Sequence, residues 1–219
     1  MLHLYILIPL NVILIGVYFY ARLRDNKRLV KFVQPSAVIV SWIVAATSLF
    51  QPNPDIGLTI VVLVGMGIAI IGDFLNIDMS DMAVVLRGLV IAVIAYLTYA
   101  IGFTYLSGFH VQDLLVGAVL LIVYAFVMRT IWSGIEKGMR IPVLIYGLVL
   151  PFTFSRAVST FFSERFSAGT ALFLSLGTFS LFIGDIEFAI DAFKKRVLFM
   201  PGPILYAGGQ FLIALACWF

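Results

Sequence analysis

The sequence predicts an all-α fold, a polytopic membrane helix bundle of eight transmembrane helices, with residues 1–219 forming a single integral membrane domain. Three observations predict it. Hydrophobic residues make up 63% of the chain and charged residues 11%, with a mean hydropathy of +1.12, whereas a soluble domain carries about 25% charged residues. Apolar stretches recur at the length of roughly 20 residues that crosses about 30 Å of hydrocarbon. Lys and Arg gather in alternate connections between those stretches.

The elements follow in chain order. A first apolar stretch at about 2–21 lacks a small-residue cleavage site and reads as a span rather than a removable leader. A basic connection holding Arg22, Arg24, Lys27, Arg28 and Lys31 leads to a second span at about 32–50. Gln51-Pro52-Asn53-Pro54-Asp55 is a turn by composition, after which a third span covers about 56–75 and a fourth about 83–106. Ser107-Gly108 opens the next turn, and the remaining spans lie at about 113–131, 141–162, 168–190 and 197–218. Eleven Lys and Arg residues fall at the odd-numbered connections, including Arg129, Lys137, Arg140, Lys194, Lys195 and Arg196, against Arg165 alone on the other side. The positive-inside bias therefore predicts a multi-pass membrane protein with the basic connections in the cytoplasm and both termini outside.

Composition also excludes several kinds of chemistry. The lone cysteine, Cys217, precludes an intrachain disulfide and a Cys-rich metal site. His3 and His110 form no H-E-x-x-H motif, and G-x-S-x-G is absent. Basic residues confined to short connections are topology signals, so nucleic acid is not an expected partner.

Two Gly-Asp pairs stand out inside apolar stretches, Gly72-Asp73 and Gly184-Asp185, each with a further glycine seven residues earlier, Gly65 and Gly177. The motif G-x6-G-D thus occurs twice, 112 residues apart. Helices 4 and 8 share Tyr-Ala-x-Gly, at Tyr99 to Gly102 and Tyr206 to Gly209. The pattern suggests a parallel repeat of a four-helix unit, its halves related by an axis along the membrane normal. Helices 3 and 7 would then run in the same direction, with the two aspartates within about 5 Å of one depth at 1.5 Å rise per residue. The glycines on their own let helices approach closely. The aspartates say more, because a carboxyl at membrane depth is costly and a helix C-terminus disfavours negative charge. Two carboxyls sharing one cavity would hold a proton between them, so that one acts as general acid and the other as general base.

Asp73 and Asp185 are therefore the candidate catalytic residues. Asn76, three residues after Asp73, would orient that carboxyl or a water, or else cap its helix. Tyr96 and Tyr99 share one face of helix 4, and Tyr206 and Gln210 one face of helix 8. Tyrosines near an interface also serve as belt residues, whereas Gln210 lies deep enough to need a partner. Lys31 and Arg87 lie at span boundaries on the aspartates' side, where they would attract phosphate headgroups. Glu187 and Asp191 would enlarge an acidic mouth. Arg156, on helix 6, is expected to snorkel to the outer headgroups, and Asn11 to make an interhelical hydrogen bond.

These residues resemble the YhhN-like, or lysoplasmalogenase, family of multi-pass membrane proteins. The resemblance runs from helix 2 to the C-terminus and rests on Lys31 with Pro35, Gly72-Asp73-x-Leu75, Gly88 with Tyr99 and Phe103, and Tyr146. It rests further on Gly177-x4-Phe182-x-Gly184-Asp185 with Ala189 and Phe193, and on Tyr206-x3-Gln210. Two departures stand out: the family commonly has Ser at Gly184 and His at Tyr96. The resemblance implies hydrolysis of the vinyl ether bond of lysoplasmalogens to a fatty aldehyde and glycerophosphoethanolamine or glycerophosphocholine, with no metal or other cofactor. The partners implied are a lysophospholipid substrate and the membrane lipids.

Two other readings fit the aspartates. An intramembrane aspartyl protease also carries Gly-Asp in a helix, but its Tyr-Asp partner motif is missing here. A proton-coupled transporter or carrier of a small or lipid substrate would use intramembrane carboxyls as protonation sites, although it would place them nearer the bilayer centre.

Overall fold

A computed structural model describes residues 3–75, 82–194 and 201–219. Among them are eight helices and no strand: α1 (Leu4–Leu23), α2 (Lys27–Thr47), α3 (Ile56–Leu75), α4 (Met82–Ser107), α5 (Gln112–Ile131), α6 (Arg140–Ser159), α7 (Ala168–Lys194) and α8 (Gly202–Ala216). The first seven, with the short 3₁₀ turns that extend some of them, are long and apolar enough to cross a membrane, and the chain is an integral multi-pass membrane protein. The described part of α8 is shorter, at 15 residues.

Local chemistry accounts for the helix ends. The Asn26 side chain accepts from the Leu29 N–H at 3.1 Å, so α2 starts at Lys27 rather than near 32. Lys27, Arg28 and Lys31 therefore lie on its first turns, where long basic side chains keep their charges in water while their stems cover apolar surface. Asp55 caps α3 through the Leu58 N–H at 3.0 Å. Gly108, at φ 75°, ends α4 in a left-handed conformation that other residues rarely adopt. The α7 helix continues to Lys194 instead of stopping near 190. Counting from helix ends thus misjudges the depth of Asp185, because that count assumed an end the helix does not have.

The two most extensive helix interfaces join α7 to α8 and α3 to α4. Both depend on missing side chains. A Cβ on Gly177 would lie 2.7 Å from the Gly209 carbonyl oxygen, and one on Gly65 would lie 2.3 Å from the Tyr99 ring. The remaining helices complete a bundle in which α8 touches α1, α2, α3 and α7, while α6 joins α4 to α7. The α5 helix lies outermost, against α6 and less extensively α7.

Polar pairs stitch the interior. Asn11 donates to Ser41 Oγ at 2.7 Å, the interhelical bond expected of it, and Ser48 meets Thr59 at 3.0 Å. Arg156 departs from expectation. It is 1% exposed and does not reach outward to headgroups. Its guanidinium donates to Asp113 Oδ2 at 2.7 Å, to Ser159 Oγ at 3.0 Å and to the Gly108 carbonyl, and stacks 4.5 Å from the Phe109 ring centre. The pairing carboxylate comes from the start of α5, so the charge is neutralised inside the bundle.

Candidate active site

A cavity of about 210 Å³ lies between all the helices except α5. Its lining residues come from the C-terminal parts of α1, α3 and α7 and the N-terminal parts of α2, α4, α6 and α8. The cavity thus occupies the end of the bundle that carries the basic connections. Asp73 and Asp185 both line it.

Each aspartate is placed by its preceding glycine. At Gly72 a Cβ would come within 3.1 Å of Ile91 on α4, and at Gly184 within 3.2 Å of Leu205 on α8. These close approaches bring the next helix against the carboxyl-bearing one and leave the aspartates facing the interior.

The hydrogen bonds to the two carboxyls form matching sets. Asp73, on α3, accepts from Gln34 Nε2 on α2 at 2.7 Å and from the Tyr206 hydroxyl on α8 at 2.9 and 3.0 Å. Asp185, on α7, accepts from the Tyr96 hydroxyl on α4 at 2.7 Å and interacts with the Tyr146 side chain on α6. Helices 2, 3 and 8 around one carboxyl correspond to helices 6, 7 and 4 around the other. Each aspartate is therefore held by a tyrosine from the opposite half of the chain. Tyr18 extends the first set by donating to Gln34 Oε1 at 2.9 Å, which fixes the amide so that its N–H₂ group points at Asp73.

The other sequence candidates divide between the cavity and its surroundings. Gln210 lines the cavity and is 1% exposed, with its Oε1 accepting from Tyr99 at 2.9 Å. Tyr99 does not line the cavity, so it acts on it only by holding Gln210 in place. Lys31 and Arg87 are exposed and lie off the lining, and Arg87 Nε instead donates to the Ala83 carbonyl on its own helix at 3.3 Å. Asn76 lies outside the described residues, as do Asp78, Asp81, Lys195 and Arg196. Glu187 and Asp191 do line the cavity, and with them Arg22.

Sequence reasoning passed over Tyr18, Arg22 and Gln34 and gave Tyr146 no role at the site. A signal existed for Gln34, a lone amide next to Pro35 in an apolar stretch, but placing the helix start near 32 made it look like an end residue. Tyr18 was masked by the number of tyrosines near span ends, and Arg22 by its place in a basic cluster.

Chemically, the cavity offers two carboxyls on an apolar wall that includes Leu89, Ala92 and Ala95, with charged residues at one end. That arrangement suits proton transfer on an amphiphile. Among the described residues no three His, Cys, Asp or Glu side chains gather in a group that could hold a metal. The model of the YhhN family matches residues 29–217 of the chain. No match was found among curated proteins or among solved structures.

Proposed function

Because this chain belongs to the YhhN family, we propose that it is an intramembrane hydrolase that cleaves the vinyl ether bond of lysoplasmalogens. The products would be a fatty aldehyde and glycerophosphoethanolamine or glycerophosphocholine. The observation that carries the reading is the presence of Asp73 and Asp185 in one cavity, each carboxyl held by a tyrosine hydroxyl.

The chemistry needs one acid and one base. A protonated carboxyl transfers its proton to the vinyl carbon on the chain side, leaving an oxocarbenium ion at the carbon bonded to oxygen. The ionised partner stabilises that cation and accepts a proton from the water that adds to it, as in the two-carboxylate logic of glycoside hydrolysis. The hemiacetal then collapses. Its hydroxyl proton passes to the first carboxylate, its carbon–oxygen bond to glycerol breaks, and the second carboxyl protonates the departing oxygen. One water is consumed and both aspartates return to their starting states.

The donors around the carboxyls support these roles by fixing the oxygens in place before substrate arrives. At the cavity's charged end, Arg22 suits the substrate phosphate, and Glu187 with Asp191 suits an ammonium group. In this reading the charged end faces the cytoplasm of a bacterial cell, both termini lie outside, and the protein sits in the cytoplasmic membrane.

The test is aldehyde release by purified protein from lysoplasmalogen, compared with its saturated alkyl-ether analogue. Wild-type protein should consume only the vinyl ether, and Asp73→Asn and Asp185→Asn should each lower the rate at least a hundredfold, within the range of general acid–base catalysis. Full activity in both variants would refute the mechanism.

A further inference from the structure

A second cavity of about 40 Å³ lies behind Asp185, between α5, α6 and α7. We infer that it receives the hydrocarbon chain of the substrate, an assignment that rests on the vinyl ether reading above. Its walls are apolar, with Met128 and Ile131 from α5, Val143 and Leu150 from α6, and Phe182 and Ala189 from α7. Asp185 and Tyr146 line this cavity and the main one alike. The carboxyl therefore stands where the cavity that carries the charged groups meets one whose lining is otherwise almost wholly apolar. A lysolipid has the same division, with its scissile bond between a polar headgroup and an apolar chain.

The space is several times the ~10–15 Å³ that admits one water molecule, so it accommodates a short length of chain, and the rest must continue outward. The helix contacts indicate the direction. The α3–α4 seam is closed where Ile91 meets Gly72, and the α7–α8 seam where Gly177 meets Gly209. The α5–α6 seam is closed where Tyr124 presses on Gly147. The α5–α7 contact is less extensive than the α5–α6 contact, although the turn that extends α5 closes against α7 where Gly134 meets the Phe193 carbonyl. On its outer surface α5 presents exposed Leu115, Ile122 and Phe126, as expected of a helix against lipid. The hydrocarbon chain is accordingly assigned an exit to the bilayer between α5 and α7, away from the Gly134–Phe193 contact.

This route also separates the two carboxyls by role. The vinyl carbon that takes the proton is the one on the chain side, and Asp185 is the aspartate that the chain compartment touches. Asp185 is accordingly the proton donor, and Asp73 the carboxylate that activates water.

The experiment has a binding arm and a kinetic arm. An uncleavable alkyl-ether lysophospholipid with a diazirine in mid-chain should crosslink within residues 124–131 or 182–189, and labelling confined to α3 and α4 would overturn the assignment. In the kinetic arm, Ala189→Phe fills the cavity. It should lower kcat/KM at least tenfold for a sixteen-carbon alkenyl chain and less than threefold for a two-carbon vinyl ether too short to enter the cavity, whereas equal changes would overturn the assignment. If that variant does not fold, Tyr124→Ala widens the cavity and should raise the rate on a branched chain relative to a linear one at least threefold, with an unchanged ratio counting against it. Crosslinking at α5 or α7 by a protein that hydrolyses no lysoplasmalogen would refute the proposed reaction and leave the chain site standing.

Discussion

The Tyr206 hydroxyl on α8 donates to both carboxyl oxygens of Asp73 on α3, at 2.9 and 3.0 Å. The contact joins the two halves of the chain, and it restrains the carboxyl more than one single-oxygen bond would. Tyr206→Phe keeps the ring and removes this restraint, leaving Gln34 as the remaining hydrogen-bond donor to Asp73 among the described residues. A hydrogen bond to a charged group is worth about 1.5–3 kcal/mol, so kcat for aldehyde release should fall about 10- to 100-fold. The detergent-solubilised variant should keep a thermal midpoint near that of wild type, which separates a positioning effect from unfolding.

Tyr96 occupies the corresponding place at Asp185, 2.7 Å from Oδ2, where the resembling family commonly has His. Both side chains can donate a hydrogen bond to a carboxyl from this position. Tyr96→His should therefore keep aldehyde release within about tenfold of wild type, whereas Tyr96→Phe should lower it by about 10- to 100-fold, the value of a hydrogen bond to a charged group. Equal losses in the two variants would show that donation to Asp185 is not what the position provides.

The α7–α8 crossing makes a stability prediction that is independent of activity. A Cβ on Gly177 would sit 2.7 Å from the Gly209 carbonyl and 2.9 Å from the Ile213 nitrogen, both backbone atoms that cannot rotate away. At Gly208, one residue from the contact, a Cβ would meet nothing within 4 Å. Gly177→Ala should cost about 1–3 kcal/mol through overpacking, visible as a lower thermal midpoint in detergent, while Gly208→Ala should leave the midpoint unchanged.

How much the sequence disclosed depends on whether a residue's meaning is local. Helix number and most boundaries follow from hydropathy, which each segment carries by itself. The Gly-Asp pairs are local as well, and their cost in an apolar stretch marks them without a structure. Partnerships across the fold are not local. Nothing near Arg156 in sequence announces Asp113, 43 residues earlier, so the arginine reads as a snorkelling charge until the two are seen together. Gln34 and Asp73 are 39 residues apart and Tyr206 and Asp73 133 apart, so their shared hydrogen bonds were out of reach for the same reason. Lys31 and Arg87, read from their place at span boundaries, are exposed and off the cavity lining, which position along a span does not by itself decide.

Burial makes the two ion pairs of the described residues unequal. In the pair formed by Arg156 and Asp113 the side chains are 1% and 10% exposed, whereas Arg165 and Asp55 are 44% and 30% exposed. Removing one partner of a buried pair leaves an uncompensated charge and costs about 3–5 kcal/mol. An exposed pair contributes about 0–1 kcal/mol because water and salt screen it. Asp113→Ala should thus lower the thermal midpoint in detergent far more than Arg165→Ala does. Asp113 also accepts the His110 N–H at 2.8 Å, so the same substitution should loosen the α4–α5 connection and speed amide exchange at His110. A double variant in which Arg156→Met accompanies Asp113→Ala removes the stranded charge along with its partner and should recover part of the loss. Failure to recover would mean that the hydrogen bonds from Arg156 to Ser159 and Gly108, rather than charge pairing, hold this end of the bundle together.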